Sequence, residues 1–128
     1  MYERKIALKL DCGLDLLREV LSGKWKMSLL YFVAQGLRRP SQLHRKLPDA
    51  TRRVLTLQLR QLVDHELLRK EDFSQQTRHV EYHLTELGES LLPLIVPLGE
   101  WGDTHQDQLR RVITQETNAM PELAEQVG

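Results

Sequence analysis

The chain has 128 residues, of which 41% are apolar, with 18 basic and 18 acidic side chains in balance. That is enough chain for one globular, soluble domain with its own core. No apolar run approaches the ~20 residues that a membrane span needs. The start, Met1-Tyr2-Glu3-Arg4-Lys5-Ile6, has no apolar stretch of the secretory kind, so a cytoplasmic protein with no membrane partner is expected.

The zero net charge conceals a segregation. Residues 1–37 carry six Lys/Arg and four Asp/Glu (+2), residues 38–79 ten and five (+5), and residues 80–128 two and nine (−7). A basic middle points to a local surface for a polyanion, and an acidic end points to a different task.

In chain order, Leu14, Leu17, Val20 and Leu21 have helical spacing, and Gly23 interrupts it. Trp25, Leu29, Leu30 and Val33 predict a second helix, closed by Gly36. Pro40 and Ser41 open a short third helix with Leu43 and Leu47 four apart, and Pro48 ends it. Thr51 can cap a fourth helix, with Leu55, Leu59 and Leu62 on its inner face. The period then drops to two. Val80, Tyr82 and Leu84 alternate with Glu81 and His83 in a strand. Its expected antiparallel partner is Leu68–Phe73, joined to it by the polar Ser74–Arg78, longer than a tight turn. Thr85 can cap a long last helix bearing Leu87, Leu91, Leu94, Ile95, Leu98 and Trp101. Pro93 and Pro97 lie inside that pattern and predict a bend or a late start. A frayed tail is expected over 118–128.

The second, third and fourth helices followed by a hairpin have the order of a winged helix-turn-helix, mostly α with a small β-hairpin. The helix-turn-helix would span about 40–65 and the wing about 68–84, within a single domain over 1–117. In such a motif the second helix enters the major groove and the first crosses the backbone. At 100° per residue, Arg53, Thr56, Leu57 and Arg60 lie opposite the leucines, with Arg52 at the first turn. Arginine's planar fork suits guanine edges and phosphates alike. The expected DNA-facing set is Arg39, Ser41, Gln42, Arg52, Arg53, Thr56, Leu57 and Arg60, with Gln76, Arg78 and His79 from the wing.

Several segments, in register and in order, resemble one family. Gly23-Lys24-Trp25-Lys26-Met27-Ser28-Leu29-Leu30 resembles the GKWK..IL opening of HxlR-type regulators. Leu37–Leu43 resembles their RFSEL segment, and Arg53–Leu62 resembles KVLTQRLREL. Val80–Gly88 is close to VEYSLTELG, and Leu91-Leu92-Pro93 with Trp101-Gly102 completes the pattern. The resemblance runs from about Cys12 to Gly102. It implies a winged helix, a homodimer built from terminal helices, and binding to double-stranded promoter DNA. The dimerisation helix would span about 85–117, with Leu94, Ile95, Leu98 and Trp101 as contacts.

The chain also departs from that pattern. Pro40 stands where Phe is usual, which would weaken a short strand before the third helix. Glu66 stands where Gly is usual, at a helix end that favours a left-handed residue. Leu57 replaces a polar residue, and His79 replaces Arg in the wing.

Members of the family use a cysteine before the first core helix to sense oxidants or electrophiles. Cys12 is the candidate redox residue on that ground, although Gly13 replaces the usual following Pro. With one cysteine, no internal disulfide can form. The five histidines are scattered, with His79 and His83 on one face of a strand, and no metal site or cofactor is expected. There is no phosphate loop, nucleophile elbow or acid–base constellation, so no enzyme is expected. The resulting reading is a sequence-specific, dimeric DNA-binding transcription regulator, open to a small-molecule or electrophile effector. A MarR-like ligand sensor and a winged-helix protein-interaction module are the alternatives.

Overall fold

A computed structural model describes residues 7–75 and 79–119. The chain forms two compact units, 1–92 and 93–128. The first contains α1 (Gly13–Leu21), α2 (Lys26–Ala34), α3 (Pro40–Lys46), α4 (Arg52–Asp64), β1 (Leu68–Asp72), β2 (Val80–Leu84) and the start of α5 (Glu86–Thr104). The second contains the rest of α5 and α6 (Gln106–Ala119). This is the winged-helix order expected from the sequence. The long last helix is two helices, α5 and α6, meeting at His105. Among the described residues, no helix is long and apolar enough to cross a membrane.

The core of the first unit lies where α2, α3 and α4 meet each other and the hairpin. Leu29, Leu30, Val33, Leu43, Leu55, Leu59, Leu62, Leu67, Leu68 and Tyr82 are buried in it. Each leucine or valine withdrawn from water contributes about 1.5–3 kcal/mol, so this cluster outweighs any single polar contact in the unit. None of the α1 side chains is buried.

β1 and β2 pair antiparallel, Leu68 against Leu84 through Asp72 against Val80. Beyond the last pair the Phe73 N–H donates to the His79 carbonyl at 2.8 Å. In the middle of β2, the Tyr82 N–H donates to the Arg38 carbonyl at 2.8 Å. That bond ties β2 to the segment entering α3.

Two helix ends follow one rule with different residues. At the end of α2, Gly36 has φ 98°, its N–H bonds the Val33 carbonyl, and the Leu37 N–H reaches Phe32. At the end of α4, Glu66 has φ 62°, its N–H bonds Val63, and the Leu67 N–H reaches Leu62. Both are Schellman ends, in which a left-handed residue redirects two backbone donors onto the helix's free carbonyls. Glycine adopts that conformation freely, whereas glutamate's Cβ resists it. The turn that the sequence marked as unusual thus takes the left-handed conformation with glutamate in place of glycine and is strained.

The same corner seats α5. The Thr85 hydroxyl donates to the Glu66 carbonyl at 2.6 Å and accepts the Gly88 N–H at 3.0 Å, capping the helix as expected. A Cβ at Gly88 would run into the Leu67 carbonyl. Pro93 and Pro97 both sit inside α5 without ending it. Each lacks an N–H, so the carbonyls of Glu89 and Pro93 lose their intrahelical partners.

A left-handed non-glycine costs about 1–2 kcal/mol, and glycine gives back about 0.5–1 kcal/mol through a freer unfolded chain. Glu66→Gly should therefore stabilise the protein by roughly 0.5–1 kcal/mol, while Gly88→Ala should destabilise it. Urea midpoints measure both; no gain for Glu66→Gly would mean the turn is relaxed.

Candidate nucleic-acid interface

α3 and α4 are held at a fixed turn. The His44 Nε2 donates to the Ala50 carbonyl at 3.0 Å across the connecting loop, with Leu47 and Ala50 buried beneath. Thr51 caps α4, its hydroxyl accepting the Val54 N–H at 3.1 Å. α3 is capped from within. Gln42 Oε1 accepts the N–H groups of Arg38 and Arg39, both at 3.1 Å. Gln42, expected at the DNA face, is therefore half-buried with its oxygen engaged, and its amide nitrogen remains for an outside partner.

α4 is also clamped to α2. The Trp25 N–H, one of the unpaired donors at the start of α2, donates to Gln58 Oε1 at 2.9 Å. Gln58 lies beside the Leu55, Leu59 and Leu62 stripe, and the clamp stops α4 from rotating about that stripe. Sequence reasoning missed this residue, because helical spacing marks it only as a flank.

With its inner face fixed, α4 turns Arg52, Arg53, Thr56, Leu57 and Arg60 outward, all exposed. Leu57 is 49% exposed. Arg39 and Ser41 are exposed at the start of α3, next to the wing root. Arg39 also approaches His79, whose Nε2 lies 3.4 Å from its guanidinium. His79 is half-buried and stacks on Phe73, with ring centroids 4.9 Å apart. Gln76 and Arg78 lie outside the described residues. Pro40, Ser41, His44, Arg52 and Thr56 rim a shallow hollow of about 180 Å³ between α3 and α4.

The electrostatics favour an anion. The first turns of α3 and α4 contain no acidic residue. The start of α4 carries Arg52 and Arg53 where the helix dipole is already positive, an unfavourable placement for the helix alone. It becomes favourable when a phosphate approaches. Lys26 belongs to a different environment. It is 2% exposed, and burial lowers its pKa while Glu19 opposes that shift.

Cys12 is exposed at the N-cap of α1, and its thiol donates to Asp15 Oδ2 at 3.3 Å. Leu94, Leu98 and Trp101 are 61%, 60% and 57% exposed, whereas Ile95 is 7% exposed. Three of the four expected dimer contacts are therefore uncovered, and Ile95 is already covered within the chain.

The profile of the HxlR-like helix-turn-helix family matches residues 20–110. The chain belongs to that family. It is similar to YkvN of Bacillus subtilis (strain 168), an uncharacterised HTH-type transcriptional regulator, at 40% identity over 100 residues, covering 78% of this chain and 85% of YkvN. It superposes on the redox regulator HypR in its reduced form with a TM-score of 0.71 and 36% identity, covering 78% of this chain and 99% of that one. A structure described as a MarR-family transcriptional regulator, from Enterococcus faecalis V583, matches with a TM-score of 0.64 and 34% identity, covering 82% and 97%. This HxlR-like chain is thus a transcriptional regulator of winged-helix fold and not an enzyme.

Gln58→Ala should leave the Trp25 N–H without its partner and cost about 1–3 kcal/mol. The helical circular dichroism should be unchanged and the melting temperature lower. An unchanged melting temperature would show that water replaces the carboxamide at no cost.

Proposed function

We propose that this HxlR-like regulator binds a near-palindromic site in promoter DNA as a homodimer, with α4 in the major groove and the wing against the backbone. The observation that carries the reading is the outer face of α4. Two arginines, a threonine and an uncovered leucine share one side of a helix whose opposite side is locked into the core, and Arg52 is exposed at its start. Arg53 lies in the first turn of α4, where a base edge comes within reach of its fork, and Leu57 can meet a thymine methyl. Arg39 and Ser41, at the start of the first helix of the motif, suit phosphate oxygens.

Uncovered apolar side chains support the second copy. In the first unit, Leu14 and Leu17 of α1 are 73% and 39% exposed. In the second, Leu94, Leu98, Trp101, Val112 and Ile113 are all uncovered. Faces of this kind mark protein–protein contact, and a two-fold pair covers the same patch on both copies. Two recognition helices would then lie about one DNA turn apart, ~34 Å. The surplus of negative charge over residues 80–128 suits a partner other than DNA.

The test is equilibrium binding to a duplex selected from genomic fragments and to a random duplex, across a salt series. Arg53→Ala should shrink the gap between the two duplexes by about 1–3 kcal/mol per half-site. Arg39→Ala should weaken both equally and lower the salt slope by about one per protomer. Light scattering on the same sample should give twice the 15.0 kDa chain mass. Equal losses on both duplexes for Arg53→Ala would remove it from base readout, and no binding at low salt would favour a protein-interaction module.

Thiol control is part of the same reading. It is supported by the exposed Cys12 and by the likeness to HypR, a redox regulator. A two-electron oxidant would take two Cys12 thiols of different chains to a disulfide, releasing two protons. Mild oxidation should change the DNA affinity of the wild type and leave Cys12→Ser unaffected. Equal responses would make the thiol structural.

A further inference from the structure

One face of the wing gathers side chains that the DNA-binding reading does not use. In β2, Glu81 and His83 alternate with Val80, Tyr82 and Leu84, and so point away from the buried Tyr82. Across the ladder Glu71 of β1 stands directly opposite Glu81. Two carboxylates facing each other in this way repel, and the pair is unfavourable unless a positive group lies between them.

The group between them is an imidazole nitrogen. His83 Nε2 is 3.2 Å from Glu81 Oε1 and 3.7 Å from Glu71 Oε2. The outer oxygens are occupied by other partners. Arg69 pairs with Glu71 Oε1, and His79 Nε2 lies 3.1 Å from Glu81 Oε2. Each carboxylate is therefore oriented from outside and presents one oxygen inward, towards His83.

We propose that Glu71, Glu81 and His83 form a site for a divalent transition-metal ion of the zinc class, with His79 positioning Glu81. The spacing suits such an ion. Ligands about 2.0–2.2 Å from a tetrahedral zinc lie roughly 3.3–3.6 Å from one another. The two separations at His83 bracket that range, and all three donor atoms lie within 4.8 Å of one another. One imidazole and two carboxylates leave a fourth position for water, and this mixture of donors suits zinc better than calcium or magnesium. His83 and Glu81 are partly shielded, at 18% and 25% exposure, and Glu71 is more open at 37%. Both carboxyl groups are already held below the ordinary glutamate range. The Arg69 hydrogen bond is the main cause for Glu71, and the His79 hydrogen bond for Glu81. The sequence alone did not suggest the site, because Glu71 reaches it only through the strand register.

The test is zinc titration of the full chain carrying Cys12→Ser, which removes the thiol as a competing ligand. One ion per chain is expected, with affinity at least tenfold weaker in His83→Ala and in Glu81→Gln and unchanged in His105→Ala. Imidazole 1H–15N spectra give a second readout without altering the site. On adding zinc, the His83 Nε2 signal should move and those of His44 and His105 should not. Absence of saturable binding, equal affinity in His83→Ala, or a stationary His83 signal would each overturn the proposal.

Discussion

Leu55, Leu59 and Leu62 are 3%, 1% and 0% exposed, and the direction of every arginine on α4 depends on them. Their burial contributes about 1.5–3 kcal/mol apiece. Rotating the helix by half a turn would forfeit that and would push Arg53 and Arg60 into a core that, among the described residues, holds no buried carboxylate to receive them, which costs more still. The outward arginine face is thus a consequence of the inward leucine face. The Gln58 clamp on the start of α2 removes the remaining freedom of rotation, and the His44 bond to Ala50 sets the angle at which α3 meets α4.

The wing is connected to this frame by backbone contacts. α4 ends in a left-handed Glu66, and the chain enters β1 directly after it. Thr85 returns from β2 to bond the Glu66 carbonyl, and Gly88 passes against Leu67 with no room for a side chain. Tyr82 completes the connection by bonding Arg38. The hairpin is therefore referenced at its base to the close of α4 and at mid-strand to the segment entering α3. Two elements expected to touch one duplex are then related by hydrogen bonds, without a flexible linker between them.

Much of this was legible in the residues. The leucine period placed α4, Thr51 and Thr85 marked its start and that of α5, and the two-residue alternation placed β2. These signals are local, and local geometry decides them. What escaped was non-local or conditional. Gln58 acts on a residue 33 positions away, and Glu71 meets Glu81 only once the register is set. Gln42 looked like a surface polar residue because nothing in the spacing revealed that two N–H groups would need its oxygen. Pro93 and Pro97 suggested a bend or a late start, and α5 starts at Glu86 and runs through both. A proline removes one hydrogen bond, and an exposed helix can meet that loss with water on the free carbonyl. The actual break, at His105, has no Gly or Pro beside it to announce it.

Backbone amide spectra of the labelled protein test most directly whether α4 is the surface that meets DNA. On adding a short duplex at low salt, the signals of Arg52, Arg53, Thr56, Leu57 and Arg60 should shift or broaden together with those at the start of α3, and those of α6 should stay in place. Perturbation confined to α6, with α4 unmoved, would contradict the account.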